Sequence, residues 1–198
     1  FSALVGVASA LAGTADALQL PDIDRVRPKL QGFFKGQALT AGSSGWLADA
    51  YVRQQDQLDG LINYESVLLT LNQGPTLHEK LFLVYPREGI ITAAYPLLLI
   101  NRDNQPAYDK LVAYLTSADF QKKVMAETLR RPVDPQVPVA DAFPRQLLVE
   151  LPFPNSQKVV DALLFSYLNE QRRPAHTYYV LDVSGSMRGD RLDSLKAA

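Results

Sequence analysis

The residues whose types and spacing could do chemistry lie near the end of the chain, in the pattern D-x-S-x-S. Asp182, Ser184 and Ser186 follow residues 178–183, an apolar run that predicts a buried strand. A loop that leaves the carboxyl end of a strand can turn short side chains toward one point. Carboxylate and hydroxyl oxygens suit a hard divalent cation such as Mg²⁺. The pattern therefore has the chemistry of part of a magnesium site.

Composition and motifs exclude many other kinds of site. The chain has 198 residues and no cysteine, which excludes disulfides, thiolate zinc sites, iron–sulfur clusters and a cysteine nucleophile. Its two histidines, His78 and His176, lack metal-ligand spacing, and neither a G-x-S-x-G elbow nor a G-x-x-x-x-G-K phosphate loop occurs. We therefore predict a protein that is not an enzyme.

Charge and hydropathy limit the partners. With 20 basic and 21 acidic residues the net charge is −1, so electrostatics give no reason to expect nucleic acid or an anionic membrane surface as a partner. No apolar run approaches the ~18 residues of a membrane span. We predict a globular chain whose partner is a small solute or a protein.

The elements that must position these residues follow from hydrophobic periodicity. Helical spacing of apolar residues predicts helices at 1–18, 22–35, from about 44, 65–73, 106–116, 118–129 and 156–171. Short apolar runs predict strands at 58–64, 81–85, 90–100 and 178–183. Because helices alternate with short strands, the sequence predicts an α/β fold with short, largely parallel sheets flanked by helices. Six prolines between 132 and 154 predict an extended linker or wrapping segment.

Two resemblances refine this prediction. The stretch 179–187, with Gly189 and Arg191-Leu192 after it, resembles the metal-ion-dependent adhesion site at the start of a von Willebrand factor A domain. This resemblance implies that Asp182, Ser184 and Ser186 contribute to a Mg²⁺ shell, which a Thr and a second Asp from later loops complete. Only twelve residues follow Ser186, so we expect an incomplete site that does not hold Mg²⁺ tightly.

The middle of the chain resembles a bacterial extracellular solute-binding protein of the type II periplasmic-binding class. The motifs that carry the resemblance, in order, are LINYES at 61–66, VYPREG at 84–89, AYPL at 94–97 and LTSADFQ at 115–121. The resemblance implies two α/β lobes around a cleft, and a location in the bacterial periplasm or on the cell surface.

Together the resemblances predict a bacterial surface protein that joins a solute-binding-like domain to a von Willebrand domain and is cut at both ends. The expected parts are a partial solute-binding-like domain at 1–133, a Pro-rich linker at 134–155, a connecting helix at 156–175 and the first strand and loop of the von Willebrand domain at 176–198.

Ligands of open α/β sheets bind at strand carboxyl ends and helix N-termini. The candidate ligand contacts on this ground are Ser2, Ser43, Ser44, Tyr64, Glu65 and Tyr95. Each also has a structural interpretation: the serines at 43 and 44 as helix caps, the two tyrosines as packing between lobes. Glu65 opposes an anionic ligand unless a cation pairs with it. Arg130 and Arg131 are assigned to a solvated helix face.

The sequence thus predicts a non-catalytic extracytoplasmic binding module that precedes a von Willebrand A domain. The alternative is a protein-interaction or adhesion scaffold that acts through the Mg²⁺-dependent von Willebrand domain and has a degenerate solute site. A third possibility, an assembly factor in metal-insertion machinery, requires an associated ATPase, which nothing in the sequence indicates.

Overall fold

The structure is a computed structural model that describes residues 1–93, 95–145, 148–174 and 180–197. The helices within these ranges are α1 (Ser2–Ala12), α2 (Leu20–Lys35), α3 (Ser44–Gln54), α4 (Glu65–Gln73), α5 (Gln105–Leu115), α6 (Ala118–Thr128), α7 (Gln157–Ser166) and α8 (Asp190–Ala197). Short 3₁₀ turns lie at Gln55–Gln57, Arg102–Asn104 and Gly185–Met187, and a π-helical turn at Tyr167–Gln171 continues α7.

The predicted α/β fold is wrong, because the described residues are helical and contain no β-sheet. Their one β-contact is an isolated parallel bridge between Ile90 and Glu150. The runs 58–64, 81–85 and 180–183 are irregular or extended, and the described residues of 90–100 have only that bridge. Phe82, Ile100 and Val180 are each more than 90 % exposed. A strand needs a neighbour for its N–H and C=O groups, and an apolar run alone does not provide one. Residues 178 and 179 of the fourth predicted strand lie outside the described residues.

A first hydrophobic core forms where α1, α2 and α7 pack together. Helix α2 presents Ile23, Val26, Leu30 and Phe34 at helical spacing, and all four are buried. The chain leaves α1 at Gly13, whose left-handed backbone (φ 67°) ends the helix. None of the predicted site residues belongs to this core.

A second, smaller core joins α4 and α6 to the Pro-rich segment. Leu69 of α4 and Met125 of α6 are buried against Val137 and Phe143, and Leu83 packs at the edge. Val137 and Phe143 therefore pack part of the Pro-rich segment against α4 and α6.

Gly89 marks a close approach between two segments that are distant in sequence. Its φ of 138° lies where L side chains rarely fit, and a Cβ atom there would lie 2.8 Å from the carbonyl oxygen of Val149. The Ile90 N–H donates to the same Val149 oxygen at 2.8 Å, and the Leu151 N–H donates to the Ile90 oxygen at 2.7 Å. Only glycine lets the backbones come this near.

Candidate functional site

The predicted serines lie at the start of α3. The Ser43 hydroxyl accepts a hydrogen bond from the Trp46 N–H at 3.1 Å, so Ser43 is the N-cap of α3. The Asn63 side-chain amide donates to the Ser44 carbonyl oxygen at 2.9 Å. Because Asn63 directly precedes the N-cap of α4, Tyr64, this bond holds the beginnings of the two helices together.

An open groove of about 440 Å³ lies between these two helices and the end of α6. Its lining residues are Gly45, Ala48 and Asp49 from α3, Ser66, Val67, Thr70 and Leu71 from α4, and Thr128 and Arg130 at the end of α6. The groove thus has a largely apolar and hydroxyl-bearing floor, with one acidic and one basic side chain at its margin.

Tyr64, Tyr95 and Arg130 lie together beside this groove. The Arg130 guanidinium carbon is 5.6 Å from the centre of the Tyr95 ring, which is cation–π distance. The contact with the Tyr95 hydroxyl raises the pKa of Tyr64, so the Tyr64 phenol keeps its proton at neutral pH. The structure therefore brings together two tyrosines that are 31 positions apart in the sequence, and it adds a cation.

The Glu65 carboxylate is bonded to two other side chains, Arg131 and Tyr85. The Arg131 Nε donates to Glu65 Oε2 at 2.7 Å, and an Arg131 terminal nitrogen donates to Oε1 at 2.8 Å. The Tyr85 hydroxyl donates to the same Oε1. Burial, followed by the bond to Glu65, raises the pKa of Tyr85 well above its ordinary value. Because Arg131 pairs with Glu65 through two hydrogen bonds, the Glu65 charge is compensated and does not oppose an anionic ligand nearby.

The placement of Arg131 on a solvated helix face is wrong. Arg131 lies beyond the end of α6, only 27 % of its side chain is exposed, and it lies 5.0 Å from the Phe143 ring centre. Sequence reasoning also did not select Arg130 for the site. The one relevant signal in the sequence was a glutamate, Glu65, at a predicted helix start, which would need a cation as a partner beside an anionic ligand. The sequence did not identify Arg131 as that partner.

Ser2 and the D-x-S-x-S loop lie apart from this constellation. Ser2 is the exposed first residue of α1 and forms no hydrogen bond with the other predicted site residues. In the loop, the Ser184 N–H donates to Asp182 Oδ1 at 2.8 Å, and the hydroxyls of Ser184 and Ser186 are 3.0 Å apart. Hydrogen bonding from Ser184 lowers the pKa of Asp182, so its carboxylate is ionised.

The oxygen atoms of this loop fit a hard cation in chemistry. Asp182, Ser184 and Ser186 offer three side-chain groups, so water or further ligands would fill the other positions of the six that Mg²⁺ takes. Among the described residues no group of three or more His, Cys, Asp or Glu side chains is placed to hold a metal.

The chain matches no family model, and neither a curated protein nor a solved structure is significantly similar to it. The resemblances to solute-binding and von Willebrand A domains therefore depend on the residues alone. No described helix is long and apolar enough to span a membrane.

Proposed function

We propose that this chain is an extracytoplasmic binding module that holds a small polar solute in the groove between α3 and α4. The observation that carries the proposal is this groove, which the predicted site helices line and which Arg130 borders. The location outside the cytoplasm follows from the resemblance to solute-binding proteins. The von Willebrand resemblance of residues 179–192 adds a second recognition domain to the proposal.

The charges around the groove favour a solute with an anionic group and a hydrogen-bond donor. Arg130 offers a guanidinium that no described carboxylate contacts within salt-bridge distance. Gly45 and Ser66 lie in the first turns of α3 and α4, where the helix dipole adds partial positive charge. Asp49, which also lines the groove, offers carboxylate oxygens to a hydrogen-bond donor. A free amino acid has both groups, so amino acids lead the list of probes.

A thermal-shift screen with amino acids, phosphate, sulfate and neutral sugars tests the proposal. A ligand at 100 times its Kd stabilises a protein by about 2.7 kcal/mol, which raises the Tm of a chain of this size by ~5–11 °C. We expect this shift with an amino acid and none with a neutral sugar. Arg130→Ala should abolish it, whereas Arg102→Ala, which removes an exposed arginine that is not among the lining residues of the groove, should not. No shift with any probe, or a shift that survives Arg130→Ala, contradicts the proposal.

The D-x-S-x-S loop favours a second candidate function, Mg²⁺-dependent protein recognition. The observation is the 3.0 Å approach of the Ser184 and Ser186 hydroxyls beside an ionised Asp182. Binding is expected to be weak, because only three protein side chains are available as ligands.

Paramagnetic Mn²⁺ as a stand-in for Mg²⁺ makes the weak binding visible by NMR. Titration should broaden the amide signals of Ser184 and Ser186 first. Asp182→Ala should remove the effect, and Asp190→Ala, which deletes a nearby carboxylate outside the motif, should leave it in place. Equal broadening in both variants would show general attraction of cations to the acidic loop and would reject the site.

A further inference from the structure

A second open cavity, of about 230 Å³, lies where the chain leaves α2 and where the π-helical turn after α7 ends. It shares no lining residue with the groove between α3 and α4. No lining residue carries a carboxylate, and two of them are arginines. The lining residues are Gln37, Ala38, Leu39, Thr40, Tyr167, Arg172 and Arg173. We call this space the Arg172/Arg173 cavity.

The two arginines are held in place by carbonyl oxygens at the ends of two helices. The Arg172 Nε donates to the Leu168 carbonyl oxygen at 3.2 Å, and the Arg173 Nε donates to the Lys35 carbonyl oxygen at 3.0 Å. Both bonds use only Nε. Within the described part of the chain, no acceptor bonds to the terminal nitrogens of either guanidinium, and no carboxylate pairs with them. The cavity therefore has two oriented guanidinium groups with donors to spare.

The wall between the arginines and α2 is fixed by Tyr167. Its ring packs edge-on against Phe34 of the first core, with the ring centres 5.0 Å apart. Its hydroxyl donates to Gln37 Oε1 at 3.0 Å, so the Gln37 amide nitrogen is available as a donor. The Arg172 N–H donates to the Tyr167 carbonyl oxygen at 3.1 Å, which connects the two residues across the π-helical turn. π-Helical turns are rare and are frequent at functional sites.

The field in the cavity is positive. The C-terminal end of a helix contributes about half a negative charge, whereas each arginine contributes a full positive one. The carboxylate nearest to them in the sequence, that of Glu170, is bonded to Arg27 at 2.8 Å and to the Ser166 hydroxyl at 3.1 Å, and Glu170 does not line the cavity. The two arginine charges are therefore not compensated by that carboxylate.

We propose that the Arg172/Arg173 cavity binds a phosphoryl group, either as free phosphate or as the phosphate of a small ester. Guanidinium forks match phosphate oxygens in geometry and form short, charge-assisted hydrogen bonds with them. A phosphate dianion balances both arginine charges. The Gln37 amide and the Thr40 hydroxyl add neutral donors at the same cavity. This site is independent of the solute groove and gives the chain a second ligand of different chemistry.

NMR titration of the isotope-labelled chain with inorganic phosphate tests the site. We expect saturable changes in the amide signals of Gln37, Thr40 and Arg173. Arg172→Gln removes one guanidinium and should weaken the affinity about tenfold. The matched control is Arg102→Gln, which removes the same charge from an exposed arginine outside the lining and should change the affinity less than about twofold.

A neutral substitution separates a built site from general attraction of anions. Thr40→Val keeps the net charge and the approximate shape but removes one donor, so the affinity should fall roughly two- to fivefold. Both Thr40 and Arg172 are exposed and lie outside the cores, so neither substitution should unfold the chain, and circular dichroism checks this.

Glycerol phosphate as a second probe distinguishes an ester from the free ion, because the tighter of the two identifies the source of the phosphoryl group. Acetate, a monoanion, should bind at least about tenfold more weakly than phosphate. The amino-acid effect expected at the groove should persist in Arg172→Gln, so the two proposals fail separately. Absence of saturable changes with both phosphate probes, equal affinities of Arg172→Gln and Arg102→Gln, or acetate binding as tight as phosphate would each overturn the site.

Discussion

Arg130 and Arg131 are adjacent in the sequence but make different contacts. Arg130 is exposed at the margin of the groove and contacts the Tyr95 ring. Arg131 is largely buried and is bound to Glu65 by two short hydrogen bonds. Leu129 ends α6 in a left-handed conformation (φ 52°), so both arginines lie beyond the helix rather than on one of its faces. Mutations at the two positions should therefore separate binding from stability.

Loss of the buried cation should destabilise the fold. Arg131→Ala leaves the Glu65 carboxylate partly buried without its partner, which should lower the free energy of unfolding by about 2 kcal/mol. Urea denaturation measures the change. The control, Arg130→Ala, loses only an exposed cation–π contact and should cost less than about 1 kcal/mol. Equal losses of unfolding free energy in the two variants would show that the Glu65–Arg131 pair does not stabilise the fold.

Tyr85 should make stability depend on pH in the alkaline range. Burial and the bond to Glu65 raise the pKa of Tyr85 above its ordinary value of 10.0. The unfolded chain therefore releases this proton first as the pH rises, and the free energy of unfolding falls above about pH 10. The stability difference between wild type and Tyr85→Phe should narrow in that range in urea titrations. A difference that stays constant from neutral to alkaline pH would contradict the assignment.

Elements of this chain are held together at a few points rather than by a continuous sheet. The contact of 89–91 with 149–151 is one such point, because it connects the segment after the second core to the stretch that leads into α7. Ile91 packs against the first core, and Leu151 is 4 % exposed. A change at the closest approach should therefore affect the whole chain.

Gly89→Ala should be strongly destabilising, because Gly89 is buried where two segments approach each other closely. The added Cβ would lie 2.8 Å from the Val149 oxygen and 2.9 Å from Leu151 Cγ, at a φ that disfavours any L side chain. We expect a loss of about 2 kcal/mol in the free energy of unfolding. Gly60→Ala is the control, because a Cβ there meets no atom within 4 Å. A Tm for Gly89→Ala equal to that of Gly60→Ala would show that the two segments separate without cost.

At the scale of the whole molecule, the chain buries less surface than its length allows. An unfolded chain of 21.9 kDa exposes about 32,000 Å², so folding to 14431 Å² buries about 55 % of it, against ~70 % for a compact domain of this size. The two separate cores and the exposed extended segments account for the shortfall.

This shortfall should appear in denaturant unfolding. Because the urea m-value scales with the surface exposed on unfolding, the monomer should have about three-quarters of the m-value of a compact chain of equal length. An m-value typical of a compact domain would show that the extended segments fold back onto the cores in solution.

The sequence by itself determined the helices and several of their ends. Periodicity predicted α4 at 65–73 with the bounds that the structure has, and Ser43 and Ser117 cap α3 and α6 as local hydrogen-bond acceptors. A helix bonds to its own neighbours three and four residues away, so local residues contain the information. The approach of the Ser184 and Ser186 hydroxyls is local in the same sense.

Only the tertiary structure decided the rest. The apolar runs at 81–85 and 90–100 predicted strands, but a strand is completed by a partner whose position no local pattern specifies, and the described residues provide none beyond the bridge at Ile90. The cation for Glu65 came from Arg131, 66 positions away. Such a pairing depends on how the chain closes between α4 and the end of α6. Contacts within one turn of helix follow from the sequence, whereas contacts between distant segments follow from the packing that brings them together.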